Sequence, residues 1–237
     1  MSQSILLKYI DEQVIRQSEG KHPKEYGPVI TISREYGCQA WDLAEKLSIK
    51  LNEALKDKDI EWKIFGREIV NKAAEKLEIH PKAIDSIYRE KPPSLFEDFF
   101  NLLSEYYHPS DIKIKKTLAG IIKAIANNGH AIIIGRGGVV LTKDISKSYH
   151  IKLHARKEWR IKQVKEKQKI TEKEAESIID RIDKERVYLR NFFAGEELTN
   201  YAYDIIFNNE TNTSSEIINA LIPILTAKKL IPRILMI

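Results

Sequence analysis

The sequence predicts an α/β fold in which a parallel β-sheet is flanked by helices. Strand-like segments at 29–32, 131–134 and 149–153 alternate with segments of helical periodicity, an order typical of parallel sheets. The run at 131–134 is continuously apolar and is followed by glycines, as expected of a strand buried on both faces. With 237 residues and 43% hydrophobic content, the chain is long enough to bury a substantial core.

The first predicted strand leads into the most informative segment of the chain. Residues 29–32 are apolar and mostly β-branched, a turn containing Gly37 follows, and a helical pattern then continues to about Ala54. A strand, loop and helix in this order present free backbone N–H groups to a phosphate. The Walker pattern also needs glycines and a lysine in the loop, and this loop is poor in glycine and has no lysine.

The remaining elements follow from local patterns. Ser94 with Glu97 and Thr171 with Glu174 are capping boxes that each mark a helix start. The charged segment 156–190 is predicted to be a pair of solvated helices. Further segments are predicted as an N-terminal helix and linker at 1–27, strands at 62–65 and 203–207, and helices at 67–77 and about 118–127.

The two ends of the chain carry apolar residues outside this alternating pattern. The stripe within 1–27 is predicted to pack on its own domain or on a second copy of the chain, which would form a homodimer. The apolar stretch at 221–237 contains Pro223 and Pro232, so no regular helix is expected to run through it. We expect it to dock on the sheet domain or on a neighbouring subunit.

Composition favours some function classes over others. A formal charge of +5 and a pI near 9.0 suit an anionic ligand. The single cysteine, Cys38, excludes an intrachain disulfide and favours a cytoplasmic location. The six histidines lack ligand spacing, so no metal site is predicted. No apolar run approaches the ~20 residues that span a bilayer, and no secretory signal is recognised, so no membrane association is expected.

Six short motifs follow one another in order along the chain. They are Ile-Ser-Arg-Glu-Tyr-Gly at 32–37, Phe65 with Arg67-Glu68-Ile69, Ile-Gly-Arg-Gly-Gly at 134–138, Ala155 with Arg160, Asp183-Lys184-Glu185-Arg186, and Tyr203-Asp204 with Asn208. This ordered set resembles the cytidylate kinase-like family of P-loop nucleoside monophosphate kinases. The resemblance implies a core domain over 28–222, with a monophosphate-binding insertion at about 60–115 and a lid at about 156–195. Residues 223–237 then form an apolar tail.

The resemblance also implies an activity and its residues. Such enzymes transfer the γ-phosphoryl group of ATP to a nucleoside monophosphate with Mg²⁺, mostly by positioning and charge neutralisation. The catalytic arginines carried over are Arg136, Arg181 and Arg186. The carried-over nucleotide- and phosphate-binding residues are Arg34, Gly37, Cys38, Gln39, Ala40, Trp41, Arg67, Arg160, Asp183 and Arg190. A pyrimidine monophosphate is the expected acceptor.

The phosphate loop departs from the family pattern at Gly37-Cys38-Gln39-Ala40-Trp41. Side chains replace two glycines, which hinders close approach of a phosphate to the backbone. Cys38 precedes a helix N-terminus, where a thiol pKa can be lowered, although a buried, inert thiol fits equally well. Trp41 suits stacking on a base or packing in the core.

Two other functions compete with the kinase hypothesis. A degenerate kinase fold that binds a nucleotide or another anion as a regulator would explain the altered loop. Nucleic-acid binding through 156–190 is disfavoured because that segment lacks interleaved aromatic residues and a recognised module.

Overall fold

The computed structural model describes residues 28–55, 60–77 and 109–232. The strands in these ranges are β1 (Val29–Arg34), β2 (Lys63–Phe65), β3 (Ala131–Ile134), β4 (Ser148–His154) and β5 (Ile205–Asn208). The helices are α1 (Ala40–Glu53), α2 (Glu68–Leu77), α3 (Pro109–Asn128), α4 (Gly138–Leu141), α5 (Lys157–Gln168), α6 (Glu172–Ala194) and α7 (Ser214–Ala227). A short 3-10 helix covers Asn200–Ala202.

The strands form one parallel sheet in the order β2-β3-β1-β4-β5. In its central part, Val29 of β1 is opposite Ala131 of β3 and Ser148 of β4. The prediction of a parallel α/β sheet is therefore confirmed. Because all the strands run the same way, their carboxyl ends meet at one edge, where ligands bind in folds of this kind.

Hydrophobic packing covers both faces of the sheet. Ile30 and Ile32 belong to a core that includes buried residues of α1 and α7. On the other face, Val29 and Ile133 pack in a second core with α3 and with Leu189 of α6. Successive strand residues thus face opposite helical layers, which explains the continuous apolar run in β3.

Two helices begin at capping boxes. At the start of α6, the Thr171 hydroxyl accepts from the Glu174 N–H, and the Glu174 side chain accepts from the Thr171 N–H, as predicted. Thr213 and Glu216 form the same arrangement at α7. The α6 helix ends at Gly195, whose φ of +76° suits a left-handed cap.

The expectation that Pro223 interrupts the last segment is wrong, because α7 continues through it to Ala227. Pro223 is exposed, whereas Leu221, Ile222 and Leu225 beside it are buried in the core shared with α1. Burial of this apolar face, together with the capping box, offsets the hydrogen bond that proline removes.

Several predictions concern other parts of the chain. The helix and linker at 1–27, the helix start at Ser94 and Glu97, and residues 233–237 lie outside the described residues. The helix expected at about 118–127 is longer, since α3 begins at Pro109. Among the described helices, none combines the length and apolar character that a membrane span requires.

Candidate functional site

The loop between β1 and α1, residues 35–39, lies at the carboxyl edge of the sheet and contacts the start of α5. Gly37 has a φ of +97°, and a Cβ placed there would lie 2.9 Å from Arg160 Cβ and 3.1 Å from the Arg160 carbonyl oxygen. Glycine is required here for two reasons, its backbone conformation and the close approach of α5.

Four N–H groups of this loop are hydrogen-bonded within the protein, and the first is that of Glu35, which donates to the Leu153 carbonyl over 3.1 Å. The Tyr36 N–H donates to Asp183 Oδ1 over 2.6 Å, and the Gln39 N–H donates to Asn209 Oδ1 over 2.7 Å. The Cys38 N–H donates to the Glu35 carbonyl over 3.2 Å. In this conformation the Asp183 carboxylate occupies the Tyr36 donor, so this N–H group is not free to bind a ligand. The Gln39 side chain, at the N-cap of α1, makes no hydrogen bond to the N–H groups of the first turn of this helix.

Arg160 holds α5 and α6 against the loop. Its guanidinium pairs with the Asp183 carboxylate and lies 3.5 Å from Glu35 Oε2. It also donates to the carbonyl oxygens of Tyr36 and Ala155, both over 3.1 Å. Because this side chain is buried and surrounded by acceptors, Arg160 stabilises the position of the two helices relative to the loop.

Three other arginines form a cluster beside the loop, and we call Arg34, Arg136 and Arg186 the arginine cluster. Arg186 Nη1 donates to the Arg34 carbonyl over 3.1 Å, and its guanidinium lies 5.3 Å from the centre of the Tyr36 ring. The Arg34 guanidinium lies against Gly135, next to Arg136, where any added Cβ would collide with it.

The electrostatics of the arginine cluster reflect its high density of positive charge. Burial, followed by the charges of Arg186 and Arg136, lowers the pKa of Arg34 to about 9, and Asp183 opposes this shift. Burial also lowers the pKa of Arg186. Of the carboxylates in the described residues, none lies within ion-pair distance of Arg34. The cluster is therefore suited to bind an anion with several oxygens.

Arg136 is positioned by an unusual turn. Gly135, Arg136 and Gly137 all have positive φ values, of 69°, 57° and 71°. Gly137 also packs against the Phe193 ring of α6, which leaves no room for a side chain. A left-handed arginine between two glycines directs this guanidinium at a cost in backbone strain, which is a recurring property of binding sites.

Cys38 is not an activated thiol. Burial, followed by the charge of Glu35, raises its pKa to about 12. The hypothesis of a lowered pKa is therefore wrong, and the alternative of a buried, inert thiol is supported. The helix N-terminus that suggested activation is outweighed by desolvation and by the nearby carboxylate.

Other predicted site residues lie apart from the arginine cluster or contribute differently to it. Arg181 is exposed on α6 and pairs with Glu185 over 2.8 Å. Arg67 is exposed after β2, and Trp41 is 45% exposed on the first turn of α1. Ala40 is buried in the core, and Gln39 is exposed. Phosphate or nucleotide contacts by these residues stay predictions.

Sequence reasoning missed several residues that shape the site. Glu35, Asn209, Lys152 and Tyr203 contribute contacts from three separate parts of the chain. Glu35 and Tyr203 stood within family motifs without a role, and Asn209 follows the motif residue Asn208. Lys152 carried a usable signal, because a lysine inside an apolar strand needs a polar neighbour.

The residues around the loop do not form a ready site for Mg²⁺ and ATP in this conformation. Tyr36 and Gln39 already donate their N–H groups to protein oxygens. The Glu35 side chain accepts from the Ala155 N–H over 3.1 Å, and the Asp183 carboxylate pairs with Arg160. Within the described ranges, no group of three or more His, Cys, Asp or Glu residues is placed to hold a metal ion.

Comparisons with known proteins identify the family and the fold. A family model described as the cytidylate kinase-like family matches residues 29–211. An uncharacterized protein from Eubacterium ventriosum has a similar structure, with a TM-score of 0.57 and 19% identity, covering 84% of this chain and 98% of that one. No curated protein matches this chain.

Two kinases are more distant structural matches. A shikimate kinase from Bacteroides thetaiotaomicron gives a TM-score of 0.47 and 11% identity over 84% of this chain and 98% of its own. A dephospho-CoA kinase from Campylobacter jejuni gives a TM-score of 0.36 and 14% identity over 85% and 97%.

Proposed function

Because this chain belongs to the cytidylate kinase-like family, we propose that it is a nucleotide-kinase-type phosphotransferase. In this proposal, ATP is the donor and a pyrimidine nucleoside monophosphate is the acceptor. The arginine cluster binds the acceptor phosphate, and neutralisation of phosphate charge is the main contribution of the protein.

The observation that carries the proposal is the arrangement of Arg34, Arg136 and Arg186 at the edge of the sheet. Burial, followed by repulsion from the neighbouring guanidinium groups of Arg186 and Arg136, lowers the pKa of Arg34 to about 9, so the charged cluster is unfavourable on its own. A bound phosphate would offset that repulsion, which makes anion binding at the cluster more favourable. Arginines ordinarily form surface ion pairs with carboxylates. Arg34 does not, because it has no carboxylate partner in the described part of the chain.

Phosphoryl transfer at this site requires a change at the loop. For the loop to hold a donor phosphate, Asp183 must release the Tyr36 N–H, which it accepts over 2.6 Å. Asp183 lies on α6, within the segment where the family resemblance places a lid. Movement of α6 away from the loop would thus expose a donor group for phosphate.

A coupled assay tests the proposal with CMP, UMP and dCMP as acceptors in the presence of ATP and Mg²⁺. We expect turnover by the wild type and a loss of about a hundredfold or more in Arg136→Gln, as for removal of one preorganised donor. Lys143→Gln is the matched control, because Lys143 is exposed and its substitution removes one positive charge outside the cluster. Equal turnover rates for the two variants would contradict a kinase role of the cluster. A wild-type rate no higher than that of Arg136→Gln would contradict it as well.

A second candidate function is supported by the occupied loop. Since Asp183 and Asn209 accept from the loop N–H groups, the chain is also suited to bind a nucleotide at the arginine cluster without accepting a donor. Such a protein would act as a nucleotide- or anion-binding regulator. Calorimetry distinguishes the two: binding of CMP that depends on Arg136 without turnover favours the regulator, and turnover excludes this alternative.

A further inference from the structure

Two further cationic side chains and a tyrosine lie next to the arginine cluster, and we call Lys152, Arg190 and Tyr203 the Lys152 site. Lys152 is on β4, Arg190 is near the end of α6, and Tyr203 directly follows the 3-10 helix at Asn200–Ala202. The Lys152 ammonium lies 5.5 Å from the centre of the Tyr203 ring and donates to Asn200 Oδ1 over 2.9 Å.

Buried polar atoms in this site have no partner. Arg190 Nε and Tyr203 Oη are both buried, and neither makes a hydrogen bond to any described residue. Buried polar groups without partners are rare in folded proteins and need an explanation such as a missing ligand. Each of the two residues is only partly covered as a whole, so the site is open to a small molecule.

The site also lacks negative charge of its own. In the described ranges, no carboxylate lies within 4.0 Å of Lys152 or Arg190. Other arginines of this region do have a carboxylate within that distance, namely Arg156, Arg160, Arg181 and Arg186. The charge of Arg190 acts on Lys152, because burial and then this charge lower the pKa of Lys152. Two neighbouring cations without an anion repel each other, so an anionic ligand would be stabilised here.

The Lys152 site and the arginine cluster are adjacent on α6. Arg186 and Arg190 are four residues apart and therefore lie on the same face of the helix, slightly more than one turn, or about 6 Å, apart along its axis. The carboxylates next to the β1–α1 loop also act on Lys152. They are Asp183, which contacts the loop, and Glu35, which belongs to it. One turn of helix is comparable to the length of a diphosphate group.

We propose that Lys152, Arg190 and Tyr203 bind a second phosphate group, belonging to a ligand whose first phosphate lies on the arginine cluster. This assignment rests on the proposed binding of nucleotide at the cluster, and it extends that function to nucleoside diphosphates, the product class of the reaction. All three side chains donate hydrogen bonds, which matches a phosphate with several acceptor oxygens.

Chemical labelling of Lys152 tests the second site without requiring turnover. The protein is treated with limiting acetic anhydride, and acetylation of Lys152 is measured by mass spectrometry relative to exposed Lys173 in the same sample. We expect pyrophosphate and CDP to slow Lys152 acetylation at least threefold. CMP should not, because its single phosphate occupies the arginine cluster. Protection by CMP equal to that by CDP, or no protection by either diphosphate, would overturn the proposal.

Variants separate a binding role from a structural one. Arg190→Gln should weaken pyrophosphate binding by about tenfold in calorimetry, and Lys173→Gln, on the same helix, should not. Tyr203→Phe removes only the unpartnered hydroxyl, so it should weaken binding while leaving thermal stability equal or higher. Unchanged pyrophosphate affinity in Tyr203→Phe and Arg190→Gln, or no pyrophosphate binding by the wild type, would also overturn the second site.

The two proposals fail in different ways. Turnover of CMP together with unprotected Lys152 would leave the kinase function intact and remove the second site. Protection of Lys152 by pyrophosphate in a protein without turnover would keep the second site and remove the kinase function.

Discussion

At the scale of single residues, Arg136 has a strained backbone conformation that determines the direction of its guanidinium group. Its φ of +57° places an L-residue in the left-handed region, between Gly135 and Gly137. This conformation costs about 1–2 kcal/mol for a residue with a side chain. A third glycine would adopt the same backbone conformation without this cost, so the guanidinium group is expected to be needed at this point.

Arg136→Gly should therefore uncouple stability from binding. Both Arg136→Gly and Arg136→Ala remove the guanidinium, so each should weaken CMP binding about tenfold or more in calorimetry. In urea denaturation, however, the glycine variant should be more stable than the alanine variant by about 1 kcal/mol, because glycine adopts positive φ without strain. A glycine variant less stable than the alanine variant would show that the left-handed turn carries no strain.

Cys38 allows a second prediction at this scale. With burial raising its pKa to about 12, its thiolate is scarce at neutral pH. Reaction of the native protein with a disulfide reagent at pH 8 should be at least tenfold slower than that of the urea-unfolded chain. Because Cys38 is the single cysteine of the sequence, the measured rate belongs to it alone. A native rate equal to or faster than the unfolded rate would mean that the thiol is accessible and that its pKa is not raised.

At the scale of elements, the contact between the β1–α1 loop and α5 depends on Gly37. A Cβ there would meet the backbone of Arg160, and the φ of +97° is unsuitable for alanine. We expect Gly37→Ala to reduce the free energy of unfolding by roughly 2–4 kcal/mol, from strain and overpacking together.

Gly120→Ala is the matched control for this prediction. Gly120 lies within α3 with no atom within 4 Å of an added Cβ, so alanine should stabilise the protein by up to about 1 kcal/mol. Urea denaturation of both variants provides the measurement. A Gly37→Ala protein as stable as the wild type would show that α5 moves from the loop at little cost.

Local patterns were sufficient to predict most elements. The Thr171 capping box and the apolar run of β3 are short-range signals, and both predictions are confirmed. Pro223 shows where such signals fail, because a local rule against proline was outweighed by burial of Leu221 and Ile222 in the core. That burial depends on packing against α1, which no window around Pro223 contains.

At the scale of the whole molecule, the sequence indicates which arginines are present but not how they are paired. Arg160, Arg181 and Arg186 all follow the family motif, yet one holds the helices to the loop, one is exposed, and one joins the arginine cluster. These differences arise from contacts such as that of Asp183 with Tyr36, 147 positions apart. The unpartnered atoms of Arg190 and Tyr203 also become visible only when strands and helices are assembled.

Stability of the whole molecule should depend on pH through His150, which is buried, and His130, which is partly buried. His150 lies on β4, where its Nδ1 is 2.8 Å from Thr31 Oγ1 and its Nε2 is 3.2 Å from Ser148 Oγ. Burial lowers its pKa below the usual 6.5, against the opposing charge of Asp204. Burial likewise lowers the pKa of His130.

The direction of the effect follows from these lowered pKa values. Above pH 6.5 both histidines are neutral in the folded and unfolded chains, so their contribution to stability is complete. As the pH falls below 6.5, the unfolded chain binds protons first, and stability is lost until the folded pKa is reached. The loss is at most about 1.4 kcal/mol per pH unit for each histidine.

We therefore expect the urea midpoint to be constant from pH 8 to 7 and to fall between pH 6.5 and 5. His150→Gln should make this fall shallower, because it removes one of the two buried groups that resist protonation. Measurements stay above pH 5, where carboxylates such as Glu210, with a lowered pKa, do not yet contribute. A midpoint that rises on acidification, or a slope equal in wild type and His150→Gln, would mean that His150 is protonated at no cost in the folded protein.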